Sequence, residues 1–153
     1  MARYQAAIHT DWSPQDVFTY LSDFSSTQEW DPGVVEAERL GEAPIDLGSE
    51  FRLLAEFMGR KTPLTYRIVE YDPPRALTFL GENGTVTSRD RITFEKAGRG
   101  TRVTYDADLR LKGALRVFDP LLRIAFTQTG DRALKGLNAV LAPPSSEALD
   151  AAA

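Results

Sequence analysis

The chain of 153 residues contains no cysteine, one histidine and two methionines. Without thiols it has no disulfide and no thiolate metal site. The single histidine, His9, removes histidine-based metal centres, and any Ser–His–Asp triad would have to use it. On its strand His9 falls on the face opposite Ile8 and reads as a solvated residue. No serine stands in a Gly-x-Ser-x-Gly turn. No glycine-rich phosphate loop is present, because Gly81–Gly84 and Gly98–Gly100 lie in hairpins with no helix following. Neither a metal nor a cofactor is therefore expected. No apolar run approaches the roughly 20 residues that a membrane-spanning helix needs. Basic charge is short as well: Lys and Arg number 18 against 22 Asp and Glu, for a net charge of −4. Nucleic acids and anionic membranes both favour basic patches, so neither is an expected partner. The lack of thiols fits a reducing compartment. The opening Met1-Ala2-Arg3-Tyr4-Gln5 leads into a strand pattern and not an apolar signal core. A cytoplasmic location follows as an expectation.

What is present is an ordinary globular balance, 42% apolar and 26% charged. A chain this long can bury roughly 70% of its unfolded surface, enough for a core or for a core with a hole in it. The main helical signal lies near the end. Leu115, Phe118, Leu122, Phe126, Ala133, Leu137 and Val140 recur at three- and four-residue steps, which places them along one side of a helix. Asp119-Pro120 reads as an N-cap with proline in the first turn, with a short helical lead-in from Leu115. Pro143-Pro144 ends the helix. Gly130 and Gly136 inside it each cost up to about 1 kcal/mol against alanine, so a close approach to the backbone or a bend is expected there.

Before this helix the chain reads almost wholly as strands. Residues 3–11 alternate, with Tyr4, Ala6, Ile8 and Thr10 on one face. Ser13-Pro14-Gln15-Asp16 opens a short helix with a serine cap. A second helical turn runs from Ser25 to Trp30 and stops at Asp31-Pro32-Gly33. Strands follow over 34–40, 48–57, 62–71, 76–80, 85–95 and 101–111. Gly59-Arg60, Asp72-Pro73-Pro74-Arg75, Asn83-Gly84 and Gly98-Arg99-Gly100 join five of them in tight turns. Asn83-Gly84 carries the strongest hairpin signal, of type I′. Consecutive hairpins imply an antiparallel meander with one wet face. A twisted sheet of six to seven strands curls, and the long helix must bury its stripe against the concave side. The fold class is α+β. Residues 1–141 form a single domain, and residues 142–153 read as a flexible tail with little to bury.

Five stretches taken together are similar to a known superfamily: Ser13-Pro14-Gln15-Asp16-Val17-Phe18, Trp30-Asp31-Pro32-Gly33-Val34, Tyr71-Asp72-Pro73-Pro74-Arg75, Gly100-Thr101-Arg102-Val103 and Leu111-Lys112-Gly113. In this order and spacing the chain resembles the SRPBCC superfamily, also called START-like or birch-pollen-allergen-like. Within it, the chain is most similar to the polyketide cyclase/dehydrase and lipid-transport group. The resemblance implies a helix-grip fold, a curved antiparallel sheet around a C-terminal helix with a cavity between them. It also implies binding of a hydrophobic small molecule, lipid- or polyketide-like, as the leading function. Two alternatives stay open: a polyketide cyclase/dehydratase-type enzyme, and a regulatory or toxin-like protein that binds partners through the outer sheet face. Monomer and homodimer are both open.

The candidate site residues come from parity on the strands. Ser88 and Asp90 share a face with Ile92 and Phe94, so a concave face would hold two polar groups inside an apolar cup. A buried carboxylate must be paired, wetted or shifted in pKa, and such groups mark sites. A one-residue slip near the hairpin would instead turn both to solvent. Tyr66 and Tyr105 either orient a ligand or satisfy each other. Asp90, Tyr66 and Tyr105 are the acid–base candidates for the enzymatic alternative. The expected ligand-binding set is Trp30, Phe51, Leu53, Phe57, Tyr66, Phe79, Ser88, Asp90, Tyr105, Leu122 and Phe126. Its apolar members read equally as plain core. Trp30 either caps the cavity mouth or seals the junction of helix and sheet.

Overall fold

The computed structural model describes residues 2–142, so all but one residue of the tail expected over 142–153 lies outside the described residues. Strand β1 (Ala2–Thr10) leads to helix α1 (Pro14–Ser22), a 3₁₀ turn (Phe24–Ser26) and the short helix α2 (Thr27–Trp30). Six strands follow: β2 (Val34–Leu40), β3 (Glu50–Phe57), β4 (Arg60–Asp72), β5 (Ala76–Glu82), β6 (Val86–Ala97) and β7 (Gly100–Leu111). A 3₁₀ turn (Gly113–Phe118) then enters the helix α3 (Asp119–Leu141). The seven strands form one sheet in the order β1-β7-β6-β5-β4-β3-β2, every pair antiparallel. This is the helix-grip architecture, with α3 on the concave face.

Local chemistry accounts for these elements. The Ser13 side chain accepts a hydrogen bond from the Asp16 backbone N–H at 3.1 Å, and Pro14 opens α1. On β6 and β7 the alternation survives intact. Val86, Ser88, Asp90, Ile92 and Phe94 face inward from β6, and Val103, Tyr105, Ala107 and Leu109 from β7. The β6–β7 pairing runs without a register break, so Asp90 and Ser88 are buried and the slip that would expose them does not occur. Breaks do occur in β2–β3, at Val34/Glu36, and in β4–β5, at Ile68/Glu70. Such irregularities bend strands and raise their twist, which helps the sheet to curl.

Two turns differ from expectation. Positive φ falls at Met58 (53°) and Gly59 (77°), so the β3–β4 hairpin is centred one residue earlier than Gly59-Arg60. At Asn83-Gly84 neither residue has positive φ, and the turn is not type I′. The Asn83 side-chain carbonyl instead accepts from the backbone N–H groups of Thr85 at 2.8 Å and Val86 at 3.0 Å. This is asparagine's other way of closing a turn, with the side chain standing in for backbone.

Helix α3 also departs from its predicted stripe. Asp119 is already helical and Phe118 holds the cap position, with no side-chain cap bond. Leu115 and Phe118 are not buried; Phe118 is 54% exposed. They lie in the 3₁₀ turn, whose three-residue period does not continue a 3.6-residue stripe. The buried face of α3 is Leu122, Ala133, Leu134, Leu137 and Leu141.

The helical glycines mark close approach. A Cβ on Gly130 would stand 2.6 Å from the Tyr4 ring, and one on Gly136 would stand 1.9 Å from the Trp30 carbonyl oxygen. On an exposed helix, glycine to alanine gains up to about 1 kcal/mol. Here the sign reverses, because backbone cannot yield as a side chain can. Gly136→Ala should lower stability by about 1–3 kcal/mol, the usual cost of overpacking, in chemical denaturation. An unchanged or raised midpoint would contradict this packing.

Candidate functional site

Between the inner sheet face and α3 lies a cavity of about 570 Å³. Its walls are mainly apolar. Leu53, Phe57 and Leu64 contribute from β3 and β4, Ala107 and Leu109 from β7, and Leu122, Phe126 and Leu134 from α3. Exposed Met58, Leu115, Phe118 and Leu121 also line it and form an apolar rim. Leu115 and Phe118, predicted as buried helix stripe, thus serve the mouth instead.

Of the residues expected to line the cavity, Trp30, Leu53, Phe57, Tyr66, Ser88, Asp90, Tyr105, Leu122 and Phe126 do so. Phe51 and Phe79 do not. Both are fully buried beneath Phe24, whose ring stacks on Phe79 at 3.9 Å between centroids and meets Phe51 edge-on at 6.4 Å. Phe24 takes the lining position they were given. Trp30 is buried and performs the second of its two expected roles. Its ring meets Tyr105 edge-on at 6.3 Å, while its carbonyl rests against Gly136 of α3.

One end of the cavity is polar. The Tyr105 hydroxyl donates to Asp90 Oδ2 at 2.5 Å, and the Ser88 hydroxyl donates to Asp90 Oδ1 at 2.9 Å. Tyr66 also lines this end, beside Ser88. The strand pairings show how it gets there. Tyr66 of β4, Gly81 of β5 and Ser88 of β6 stand in one cross-strand row. A Cβ on Gly81 would meet the Tyr66 ring at 2.5 Å, so glycine lets the tyrosine lean across β5 toward Ser88.

Asp31 joins this group and was missed in the sequence, where Asp31-Pro32-Gly33 reads only as a turn. It does make that turn, accepting from the Gly33 N–H through Oδ1 at 2.8 Å. It also lines the cavity. Burial pushes its carboxyl up to about 6; the Gly33 bond opposes this and the charge of Asp90 adds to it. Burial likewise raises Asp90, against the bonds from Tyr105 and Ser88. Burial and the charge of Asp90 raise both Tyr66 and Tyr105, which stay protonated. His9 is exposed, its Nε2 3.1 Å from the Ala97 carbonyl oxygen, and is no part of the site. Among the described residues no cluster of His, Asp and Glu is arranged to hold a metal.

A family profile described as "Polyketide cyclase / dehydrase and lipid transport" matches residues 1–142. The chain belongs to this family. Uncharacterized proteins from two strains of Mycobacterium tuberculosis are each 32% identical to this member over 128 residues, covering 79% of this chain and 83% of theirs. A START superfamily protein from Mycobacterium smegmatis matches its fold with a TM-score of 0.76 at 14% identity, over 92% of this chain and 97% of that one. The Zhui aromatase/cyclase from Streptomyces sp. R1128 matches with a TM-score of 0.75 at 14% identity, over 91% and 92%. Ara h 8.0201 matches at 0.64 and 14%, over 91% and 96%. At such identities these structures share the fold of this polyketide cyclase/dehydrase and lipid-transport family member. The family and fold point to ligand binding or to cyclase/dehydrase-type chemistry. No described helix is long and apolar enough to cross a membrane.

The raised Asp31 carboxyl carries a stability consequence. Its folded value of about 6 lies above the ordinary 3.8, so folding favours the protonated form. The penalty is absent below about pH 4, grows as pH rises, and is complete above about pH 6. At 1.36 kcal/mol per unit it amounts to about 3 kcal/mol. Asp31→Asn keeps an oxygen for the Gly33 N–H. It should raise the melting temperature by several degrees at pH 7.5 and by little at pH 4. Equal gains at both pH values would rule out Asp31 ionisation as the source.

Proposed function

We propose that this protein binds a hydrophobic small molecule, lipid- or polyketide-like, in the cavity between the sheet and α3. The observation that carries this reading is a cavity of about 570 Å³, apolar along its walls and polar at one end. As a dry void it would cost roughly 14 kcal/mol at ~24 cal/mol per Å³, as much as the whole stability of a domain. The space must therefore be filled, by water or by a ligand. Water is a poor occupant along walls that offer it few partners. An apolar ligand with a polar end suits both regions. The apolar rim of Met58, Leu115, Phe118 and Leu121 supports the same reading, since it gives such a ligand an apolar way in.

Acid–base catalysis on a polyketide-type substrate is the second reading, favoured by two upshifted carboxyls and two tyrosine hydroxyls around one space. Substituting Asp90 by asparagine would then lower kcat far more than it weakens binding. Equal losses in both would argue for binding alone.

Native against denatured mass spectrometry of the purified protein, with an organic extract of the same sample, tests the binding reading. A released apolar molecule of defined mass is the expected result. Ala107 lines the cavity from β7. Ala107→Phe fills part of the space and should weaken an added apolar dye at least tenfold while the protein stays folded. A dye that binds this variant as before would place the binding elsewhere.

A further inference from the structure

The polar end of the cavity can be read for what it would accept, provided the cavity binds a ligand as proposed above. A hydroxyl has one hydrogen to give. Tyr105 gives its hydrogen to Asp90 Oδ2 and Ser88 gives its hydrogen to Asp90 Oδ1. Tyr66 lines the cavity beside Ser88, and its hydroxyl can donate or accept. Two of the three hydroxyl hydrogens thus run inward to one carboxylate. What Tyr105 and Ser88 leave toward the cavity is oxygen lone pairs.

The neighbouring donors are engaged in the same way. The Thr27 hydroxyl donates to the Phe24 carbonyl at 2.7 Å, the Tyr4 hydroxyl to Asp131 at 2.8 Å, and the Gly33 N–H to Asp31. The Trp30 indole N–H is directed at Ser26 Oγ, 3.4 Å away. Asp31 Oδ2 accepts from no donor among the described residues and adds a further acceptor. Among the residues that line the cavity the only cation is Arg60, which is exposed beside the β3–β4 turn. The hydroxyls of Thr62 and Thr129, which can donate or accept, complete the polar lining apart from Thr85 and Glu56.

From this accounting we infer that the cavity selects an apolar molecule whose polar end is a hydrogen-bond donor, above all a protonated amine, and rejects carboxylate and phosphate ends. An ammonium group brings three donors and a positive charge to a surface of acceptors that includes two carboxyl groups. An anionic end would meet lone pairs and like charge with no buried cation to offset them. A neutral hydroxyl end falls between the two, with one hydrogen to offer. The apolar walls hold the body of the molecule without regard to its head, so three probes with the same chain separate the head from the body.

The test is displacement of diphenylhexatriene, an uncharged apolar dye, from the full chain at pH 7.5. The competitors are dodecylamine, dodecanol and dodecanoate, each below its micelle concentration. Dodecylamine should compete at least tenfold better than dodecanol, and dodecanoate at least tenfold worse. In the double variant Asp31→Asn, Asp90→Asn the ratio of amine to alcohol should fall at least tenfold, since the charges are gone and amide donors replace acceptors. Should that variant not fold, Asp31→Asn alone keeps its bond to Gly33 and should lower the ratio in the same direction. Dye and dodecanol binding with no preference for the amine, or with dodecanoate equal to it, would overturn the inference and leave the cavity reading standing. A preference that survives loss of the carboxyl charge would also overturn it. If the dye and all three probes fail to bind, the cavity reading falls and this inference falls with it.

Discussion

Asp90 lies on the inner face of β6, almost wholly removed from water. An ionised carboxylate cannot be placed there without partners, because losing its hydration costs several kcal/mol. Much of the interior follows from that demand. Tyr105 must come within hydrogen-bonding distance from β7, which requires the unbroken β6–β7 register. Ser88 must point the same way two residues earlier on the same strand. Tyr66 reaches the group only because β5 carries a glycine beneath its ring. A one-residue slip would expose Asp90 and Ser88 and bury their charged neighbours Arg89 and Arg91. The polar group therefore specifies the pairing of the central strands as firmly as the apolar residues around it.

Helix α3 meets two opposite requirements along its length. Toward its C-terminal end Ala133, Leu134, Leu137 and Leu141 are buried, and Gly136 lets the Trp30 backbone press directly on the helix. Toward its N-terminal end Leu121 and Ile124 are exposed and Leu122 alone is buried. The helix is closed down on the sheet at one end and stands off it at the other. The cavity occupies the wedge between. Close packing at the glycines keeps the far end open, since the sheet curves away beneath a helix pinned at one side.

Much of this was legible in the sequence, and the limits have physical causes. Strand parity put Ser88 and Asp90 on one face with Ile92 and Phe94, and Tyr66 and Tyr105 on faces with aliphatic residues; whether Ser88 and Asp90 turned inward stayed open until the unbroken β6–β7 pairing decided it. Gly130 and Gly136 signalled close approach through their cost in a helix, and both have a neighbour pressed against them. Parity could not separate lining from core. Phe51 and Phe79 face inward yet lie under Phe24, which arrives from a 3₁₀ turn with no periodic signal of its own. Asp31 escaped because a turn aspartate has a sufficient local reason to exist. Leu115 and Phe118 were misplaced because a helical stripe was extended through a segment of different pitch. Asn83-Gly84 supplied the right hairpin by the wrong turn, since asparagine closes turns with its side chain as readily as with its backbone.

The sheet is open, and its two outer strands, β1 and β2, meet different fates. Unpaired strand edges are templates on which other chains can add, the first step toward aggregation. β1 is guarded by α3: the Tyr4 ring sits against Gly130, and the Thr10 hydroxyl bonds the Leu141 carbonyl at 2.9 Å. β2 is met by the first 3₁₀ turn and α2, with the Gln28 side-chain oxygen accepting from the Ala37 N–H at 3.1 Å; its register also breaks at Val34/Glu36 and it carries Glu36, Glu38 and Arg39. A bulged, charged rim makes a poor template. The helix that shapes the interior thus also shields one border of the sheet, and the irregularity that helps the sheet to curl blunts the other.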